Sequence, residues 1–169
     1  MTDELRVNQL VTLQHVHHKV QVPSRKRLFQ TIAEDLANPE REDREEAVDE
    51  IYDALVERER LGSTALGEGV AIPHCRTDCQ EISGAFYTLD EGIDYEAPDS
   101  QPVDLVFVLM VPMNEQKAHI AALQRLAQIF SDADNLRRLR AGQSDEALFQ
   151  ELLIVDDEIG QAEPDRKLA

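Results

Sequence analysis

The chain has 169 residues, 42% of them hydrophobic and 30% charged, which is typical of one globular domain with a full core. The 17 basic and 34 acidic side chains give a net charge of −17, and this argues against a general nucleic-acid surface, because phosphate backbones are bound by Lys and Arg. No apolar run can cross a bilayer, the N-terminus shows no secretory signal and two cysteines are too few for a disulfide scaffold, so we expect a cytoplasmic protein without membrane insertion.

The first third of the chain predicts one short strand followed by two helices. The strand is expected over 19–22. Ser24 is a suitable N-cap for the first helix, in which apolar residues keep helical spacing until Asn38-Pro39 ends it. The second helix is expected over 42–60, with an apolar stripe on one face and acidic residues mostly on the others, and Gly62 ends it.

Three histidines, His15, His17 and His18, lie just ahead of the first strand. A His-x-His pair on a strand places two rings on one face, which is an arrangement that can hold a metal ion. Because no carboxylate or cysteine lies nearby in the sequence, the ligand set is short of what zinc requires. We therefore expect a solvated polar edge at this place and no metal site.

The segment from Leu61 to Arg76, LGSTALGEGVAIPHCR, is the most distinctive stretch of the chain. Three glycines and two hydroxyl residues lead into a short apolar strand over 70–72, which ends because Pro73 removes a backbone donor. His74 is thereby presented at a strand terminus, beside a loop rich in backbone N–H groups. Such a place suits an anion attached to histidine, although the spacing alone is equally typical of an ordinary surface histidine.

The second half of the chain alternates strands with helices. A strand is expected over 82–89, followed by an acidic, turn-rich connection over 90–100. The almost continuously apolar stretch over 103–111 predicts a central strand covered on both faces. Three further helices are expected, over 116–130, over 131–140 and from Ser144 onward.

This alternation predicts an α/β fold in which helices cover both faces of the sheet. We expect a single domain over 1–155, because no interior stretch has the composition of a linker. Residues 156–169 are polar and are expected to form a C-terminal tail.

Several motifs resemble those of a known family. The stretch LGSTALGEGVAIPH, over 61–74, is similar to the active-site signature of the enzyme IIA proteins of the bacterial phosphotransferase system, in the mannitol/fructose class. Within that class it is most similar to the nitrogen-regulatory enzyme IIA. The resemblance covers about 5–154 and implies a mixed sheet of about five strands between helices. It recurs in QPVDLVFVLMVP at 101–112, KAHIAAL at 117–123 and RRLRAGQSDEALFQ at 137–150.

The resemblance implies a role for each of three residues, and the chemistry of two hydroxyl residues adds two further candidates. His74 is the residue that is phosphorylated, through Nε2, with Nδ1 held by a backbone carbonyl. His119 matches a second active-site histidine that supports the phosphoryl oxygens, and Arg58 matches an arginine sixteen residues before the first histidine. Without the resemblance, both would be ordinary helix-surface residues. Ser63 and Thr64 can donate to the phosphoryl group, although turn capping is an equally good explanation.

The resemblance also implies the partners. The chain has no G-x-x-x-x-G-K-[ST] loop, so direct use of ATP is not expected, and neither a cofactor nor a metal is needed. The implied donor is the histidine phosphocarrier protein of the nitrogen branch. The implied targets are regulatory proteins such as sensor kinases or potassium-transport proteins, and no sugar receives the phosphate.

One position departs from the family, which usually has glycine directly after the active histidine, where this chain has Cys75. A side chain there can narrow access for the donor, or require a backbone shift if the position has positive φ. Two alternatives therefore stay open. One is a regulatory binding protein on the same fold that acts without phosphorylation, and the other is a metal or thiol sensor formed by His74, Cys75 and Cys79.

Overall fold

A computed structural model describes residues 5–115 and 117–168, which are organised around a mixed six-stranded sheet. The strands follow the order β1-β5-β6-β3-β2, and β4 also pairs with β6. The β5–β6 and β2–β3 pairs are antiparallel, whereas β1–β5, β3–β6 and β4–β6 are parallel. The strands are β1 (Val16–Val20), β2 (Ala65–Gly67), β3 (Val70–Ala71), β4 (His74–Thr77), β5 (Ser83–Ile93) and β6 (Val103–Pro112).

Five helices and two short 3₁₀ turns, Val7–Gln9 and Leu13–His15, complete the described part of the chain. The predicted α/β class is confirmed. The sheet has one strand more than the five expected, because the segment around the histidine forms three short strands. Gln116, where the third helix was expected to begin, lies outside the described residues. The helices are α1 (Arg25–Leu36), α2 (Arg44–Arg60), α3 (Lys117–Phe130), α4 (Ala133–Arg140) and α5 (Asp145–Leu168).

Strand β6 divides the hydrophobic core into two clusters, as its continuous apolar sequence predicts. Because successive side chains of a strand point to opposite faces, one set packs against α3, α4 and α5 and the other against α1 and α2. The first set contains Leu105, Phe107, Leu109 and Val111, and the second contains Val106, Val108 and Met110.

The turn between β2 and β3 requires glycine. Gly69 has φ +82°, and a Cβ there would lie 2.5 Å from Nη2 of Arg140 and 2.9 Å from Oδ1 of Asp104. Its carbonyl accepts hydrogen bonds from the N–H groups of Asp104 and Leu105, each at 3.0 Å. These hydrogen bonds hold the turn against the start of β6 and thereby set the position of β3, which follows the turn.

The polar C-terminal residues begin inside a helix, since α5 continues to Leu168. Asp156, the first of them, is only 2% exposed and forms an ion pair with Arg125 of α3, with Nε and Oδ1 2.9 Å apart. It also accepts a hydrogen bond from Arg6 Nε at 2.8 Å. The division of the chain into a single domain over 1–155 and a polar tail over 156–169 stays a prediction. None of the helices described is both long and apolar enough to cross a membrane.

The histidines near β1 form a paired cluster and not the solvated edge that was expected. Helix α1 brings Asp35, which is distant in sequence, between two rings: its carboxylate lies 3.3 Å from His15 Nδ1 and 3.1 Å from His17 Nε2. The Tyr87 hydroxyl donates to the same carboxylate at 2.6 Å. His18 pairs with Asp145 instead, with Nδ1 and Oδ1 2.9 Å apart.

Candidate active site

His74 begins β4, and its two ring nitrogens have different partners. Nδ1 lies 2.9 Å from the carbonyl oxygen of Ile72. Since a carbonyl only accepts, Nδ1 carries the proton and Nε2 keeps its lone pair. The strand register holds the ring in place, because His74 pairs with Leu109 of β6 and the Pro73 carbonyl accepts from the Leu109 N–H at 3.0 Å.

Three separate elements meet at the half-buried ring of His74. Arg58, in the last turn of α2, has its Nε 3.4 Å from His74 Nε2, and its Nη1 donates to the Gly62 carbonyl at 2.9 Å. His119 lies in the first turn of α3, and its ring centroid is 5.2 Å from that of His74, with the planes at 66°. The structure thus brings together the three residues at the centre of the predicted site.

The electrostatic surroundings keep both rings neutral at physiological pH. Burial lowers the pKa of His74; the Ile72 carbonyl opposes this effect and Arg58 adds to it. Burial also lowers the pKa of His119, assisted by the neighbouring His74, Arg76 and Arg58. A neutral His74 offers a nucleophilic lone pair without first losing a proton.

The two predicted hydroxyl residues hold the loop between α2 and β2. Thr64 is only 5% exposed, and its hydroxyl bonds to the Glu59 carboxylate and, at 2.8 Å, to the Tyr95 hydroxyl. The exposed Ser63 hydroxyl accepts from the Ala65 N–H at 3.1 Å, which is a turn-capping bond. Contact of either hydroxyl with a phosphoryl group on His74 stays a prediction.

Sequence reasoning missed Arg76, two residues after His74 on β4. Its Nη1 contacts the carbonyl oxygens of Pro112 and Met113 at 3.2 Å each and that of Glu115 at 2.8 Å. The Pro112 carbonyl ends β6, and the other two lie in the connection from β6 to α3. The alternation of side chains along a strand could have indicated that Arg76 shares a face with His74, but its partners lie in a distant segment of the chain.

Cys75 points to the opposite face of β4 from His74. Its side chain packs in the core cluster of α1 and α2, whereas His74 contacts α3. Burial, with a smaller effect of Cys79, raises the pKa of the Cys75 thiol to about 12. Cys75 does not have positive φ, and no group of three His, Cys, Asp or Glu side chains in the described ranges is placed to hold a metal ion.

The fold is that of a phosphotransferase-system component. Residues 9–154 match the family described as phosphoenolpyruvate-dependent sugar phosphotransferase system, EIIA 2, and the chain belongs to that family. The resemblance noted in the sequence is therefore confirmed.

Within the family, the chain is similar to nitrogen regulatory proteins. It is 40% identical to the Nitrogen regulatory protein of Pseudomonas aeruginosa, over 93% of this chain and 99% of that protein. The crystal structure of Nitrogen Regulatory Protein IIA-Ntr from Neisseria meningitidis superposes with a TM-score of 0.78 at 35% identity, over 86% of this chain and 98% of that one. Mannitol IIA from Escherichia coli, at 19% identity and a TM-score of 0.65 over 83% of this chain and 97% of that one, shares the fold.

Proposed function

We propose that this chain accepts a phosphoryl group on Nε2 of His74 and carries it as a signal. The donor in this proposal is a phosphohistidine on the histidine phosphocarrier protein of the nitrogen branch. The recipients of the signal are regulatory proteins such as sensor kinases or potassium-transport proteins. The observation that carries the proposal is the bond from Nδ1 of His74 to the Ile72 carbonyl, which leaves the Nε2 lone pair available beside Arg58 and His119.

The transfer needs no proton movement. Nε2 of His74 attacks the phosphorus atom, a new N–P bond forms, and the N–P bond of the donor breaks as its electron pair returns to the donor's imidazole nitrogen. The proton stays on Nδ1 throughout, where it is donated in the hydrogen bond to the Ile72 carbonyl. The protein's task is then to position the two rings and to stabilise charge on the phosphoryl oxygens.

Groups that can stabilise those oxygens lie on two sides. Arg58 lies against Nε2, and its guanidinium can turn onto a phosphoryl group with paired hydrogen bonds. His119 lies at the N-terminal end of α3, where the free N–H groups and the helix dipole favour anions. In this proposal the Ser63 and Thr64 hydroxyls are secondary donors.

Exposed apolar side chains near the site support docking of a protein donor. Leu61 is 85% exposed and directly follows α2, the helix that ends with Arg58 in its last turn. Met113 is 61% exposed in the connection that Arg76 contacts, and Ile120, next to His119, is 58% exposed. Large apolar side chains left in solvent around a polar centre mark protein interaction surfaces.

The test is to incubate the chain with enzyme I, its carrier and phosphoenolpyruvate, and to map the phosphate by mass spectrometry. We expect one phosphate, on His74, and no label in His74→Ala. The matched control is His18→Ala, which removes a ring paired with Asp145 and outside the site, and which should be labelled as the natural chain is. Label that persists in His74→Ala would disprove the assignment. An unlabelled natural chain that still binds its regulatory partners would favour the alternative of a binding protein that acts without phosphorylation.

The supporting role of His119 has its own test. His119→Ala should keep its melting temperature, because the ring is only partly buried, and should slow transfer roughly 10²- to 10³-fold, the usual loss for one group that stabilises transition-state charge. Rapid-quench measurement of His74 labelling gives the rate. Transfer at the unmodified rate would show that His119 has no part in it.

A further inference from the structure

Arg76 links β4, the strand that carries His74, to residues 112–115, which lead from β6 into α3. A single nitrogen, Nη1, lies within 3.2 Å of the carbonyl oxygens of Pro112, Met113 and Glu115. Since Nη1 has only two hydrogens, the three carbonyls share them. The N–H groups of Nε and Nη2 take no part in these three bonds. The guanidinium thus holds residues 112–115 through weak, divided bonds to neutral acceptors.

The position of Arg76 places it next to the proposed phosphoryl group. Residues two apart on a strand share a face, so Arg76 and His74 lie side by side on β4. Its charge acts on both rings of the site, and it contributes to the lowered pKa values of His74 and His119. The register of β4 on β6, with Thr77 opposite Pro112, brings the 112–115 connection to the same place.

We propose that Arg76 exchanges partners when His74 is phosphorylated: its guanidinium leaves the carbonyls of residues 112–115 and binds the phosphoryl oxygens. This inference rests on the proposed function. Hydrogen bonds between a guanidinium and an anion are roughly twice as strong as those between neutral groups, and a phosphoryl group carries about −1.5 to −2 charges with three acceptor oxygens. The planar fork of arginine matches two of those oxygens, so the phosphoryl group competes successfully against three shared neutral carbonyls.

This change of Arg76 partners converts the phosphorylation of His74 into a change of the surface formed by residues 112–115. Met113 lies in the released connection and is 61% exposed, and the connection leads directly to α3, which carries His119. Once Arg76 releases residues 112–115, this segment can move, and the Met113 side chain takes a different position on the surface that a protein partner contacts. A regulatory protein that packs an apolar surface on Met113 then distinguishes the phosphorylated chain from the free one.

The experiment compares amide hydrogen exchange in the natural chain before and after phosphorylation by phosphoenolpyruvate, enzyme I and the carrier. We expect peptides that contain residues 112–115 to exchange roughly fivefold to tenfold faster after phosphorylation, the change that follows the loss of about one hydrogen bond. In Arg76→Ala the same peptides should exchange fast in both states. The phosphohistidine of this variant should also hydrolyse several times faster, with a shifted ³¹P resonance, because a phosphoryl contact has been lost.

Two further variants distinguish the proposed change of Arg76 partners from a merely structural role of Arg76. Arg76→Lys keeps the charge and loses the fork, and it should restore only part of the phosphohistidine lifetime. Arg137→Ala removes an exposed arginine of α4 that pairs with Asp134, and it should behave as the natural chain. The inference would be overturned if amide hydrogen exchange at 112–115 were equally fast in the free and phosphorylated chains, or if a difference between the two states survived in Arg76→Ala. In either case, phosphate mapped to His74 would still uphold the proposed function. Lack of phosphate on His74 would overturn both.

Discussion

Cys75 shows how much a single residue depends on the element that contains it. The resemblance implied a glycine after the active histidine, and a side chain there raised the question of donor access or a shifted backbone. In β4 the residue has no positive φ, and its side chain enters the core on the face opposite His74. The thiol therefore neither strains the backbone nor lies on the face of β4 that carries His74, and its raised pKa of about 12 makes it a poor nucleophile.

Replacing Cys75 by glycine tests this conclusion. Cys75→Gly should leave the rate of His74 labelling unchanged, and should lower the free energy of unfolding by roughly 1–3 kcal/mol, since a strand residue and a buried side chain are lost. Urea titration and rapid-quench labelling measure the two quantities. Cys79→Ser serves as control for thiol loss outside the strand, and faster labelling of Cys75→Gly would show that the cysteine does restrict access.

A second effect at the scale of single residues concerns Asp35 and its partners. Burial raises the pKa of Asp35, but hydrogen bonds from His15, His17 and Tyr87 outweigh it and hold the pKa well below its usual range. The hydrogen bond to Asp35 raises the pKa of His17 above 6.5, against the lowering effect of burial. Asp35 and His17 thus each favour the charged form of the other, and their hydrogen bond attaches α1 to β1.

The raised pKa of His17 predicts a pH-dependent stability. Because the folded chain binds the proton more tightly than the unfolded chain, the contribution is fully present below the unfolded pKa of 6.5 and is lost as pH rises through the folded pKa. His17→Gln should therefore lower the melting temperature more at about pH 5.5 than at about pH 8.5. In an Asp35→Asn background this pH dependence should disappear. An equal effect at both pH values would contradict the pairing.

Among the elements, α3 has a particular importance because it brings His119 to the site. Arg125 of α3 is 4% exposed and Asp156 of α5 is 2% exposed, and their ion pair links the two helices inside the core. The same carboxylate accepts from the Arg6 side chain and from the Val7 N–H at 3.2 Å. One buried carboxylate thus joins the N-terminal segment, α3 and α5.

Removal of that carboxylate should be strongly destabilising. Asp156→Ala breaks the buried ion pair with Arg125, and the loss of one member of a buried pair costs about 3–5 kcal/mol of unfolding free energy. The matched control is Asp157→Ala, whose carboxylate also pairs with Arg6 but is 62% exposed, and which should cost less than about 1 kcal/mol. Urea denaturation of the two variants gives the comparison. Similar losses in both would mean that burial does not govern the strength of this network.

For the whole molecule, the dominant property is the net charge of −17. Part of it lies on α2, whose seven acidic and three basic residues give a net charge of −4. Repulsion among these charges opposes the compact state, and salt screens it over a Debye length of about 10 Å at 0.1 M. The same field attracts a basic protein partner.

This charge predicts that salt stabilises the protein. The melting temperature should rise when sodium chloride is increased from about 0.01 M to about 0.5 M, because self-repulsion is screened more than the buried ion pairs are. Glu46→Lys, which reduces the charge on the exposed face of α2, should show a smaller rise. A melting temperature that falls with salt would mean that surface ion pairs contribute more than repulsion removes.

The elements with strong local patterns could be predicted from the sequence. The second helix was expected over 42–60 and is found at Arg44–Arg60, and the central strand was expected over 103–111 and is found at Val103–Pro112. The very short strands β2 and β4 were missed, since three or four residues have too little periodicity to show a pattern. The length of α5 was missed because its polar C-terminal half looks like a tail.

The sequence by itself determined the class of the fold, the family and which three residues, His74, Arg58 and His119, lie together, because helical spacing, strand alternation and motifs are local properties of the chain. Only the tertiary structure decided which nitrogen of His74 keeps its lone pair, which carbonyls Arg76 contacts and which carboxylate lies between His15 and His17. Each of these depends on the register and packing of segments that are distant in sequence. No local pattern contains that information, since the same residues would have other partners if the strands paired one residue apart.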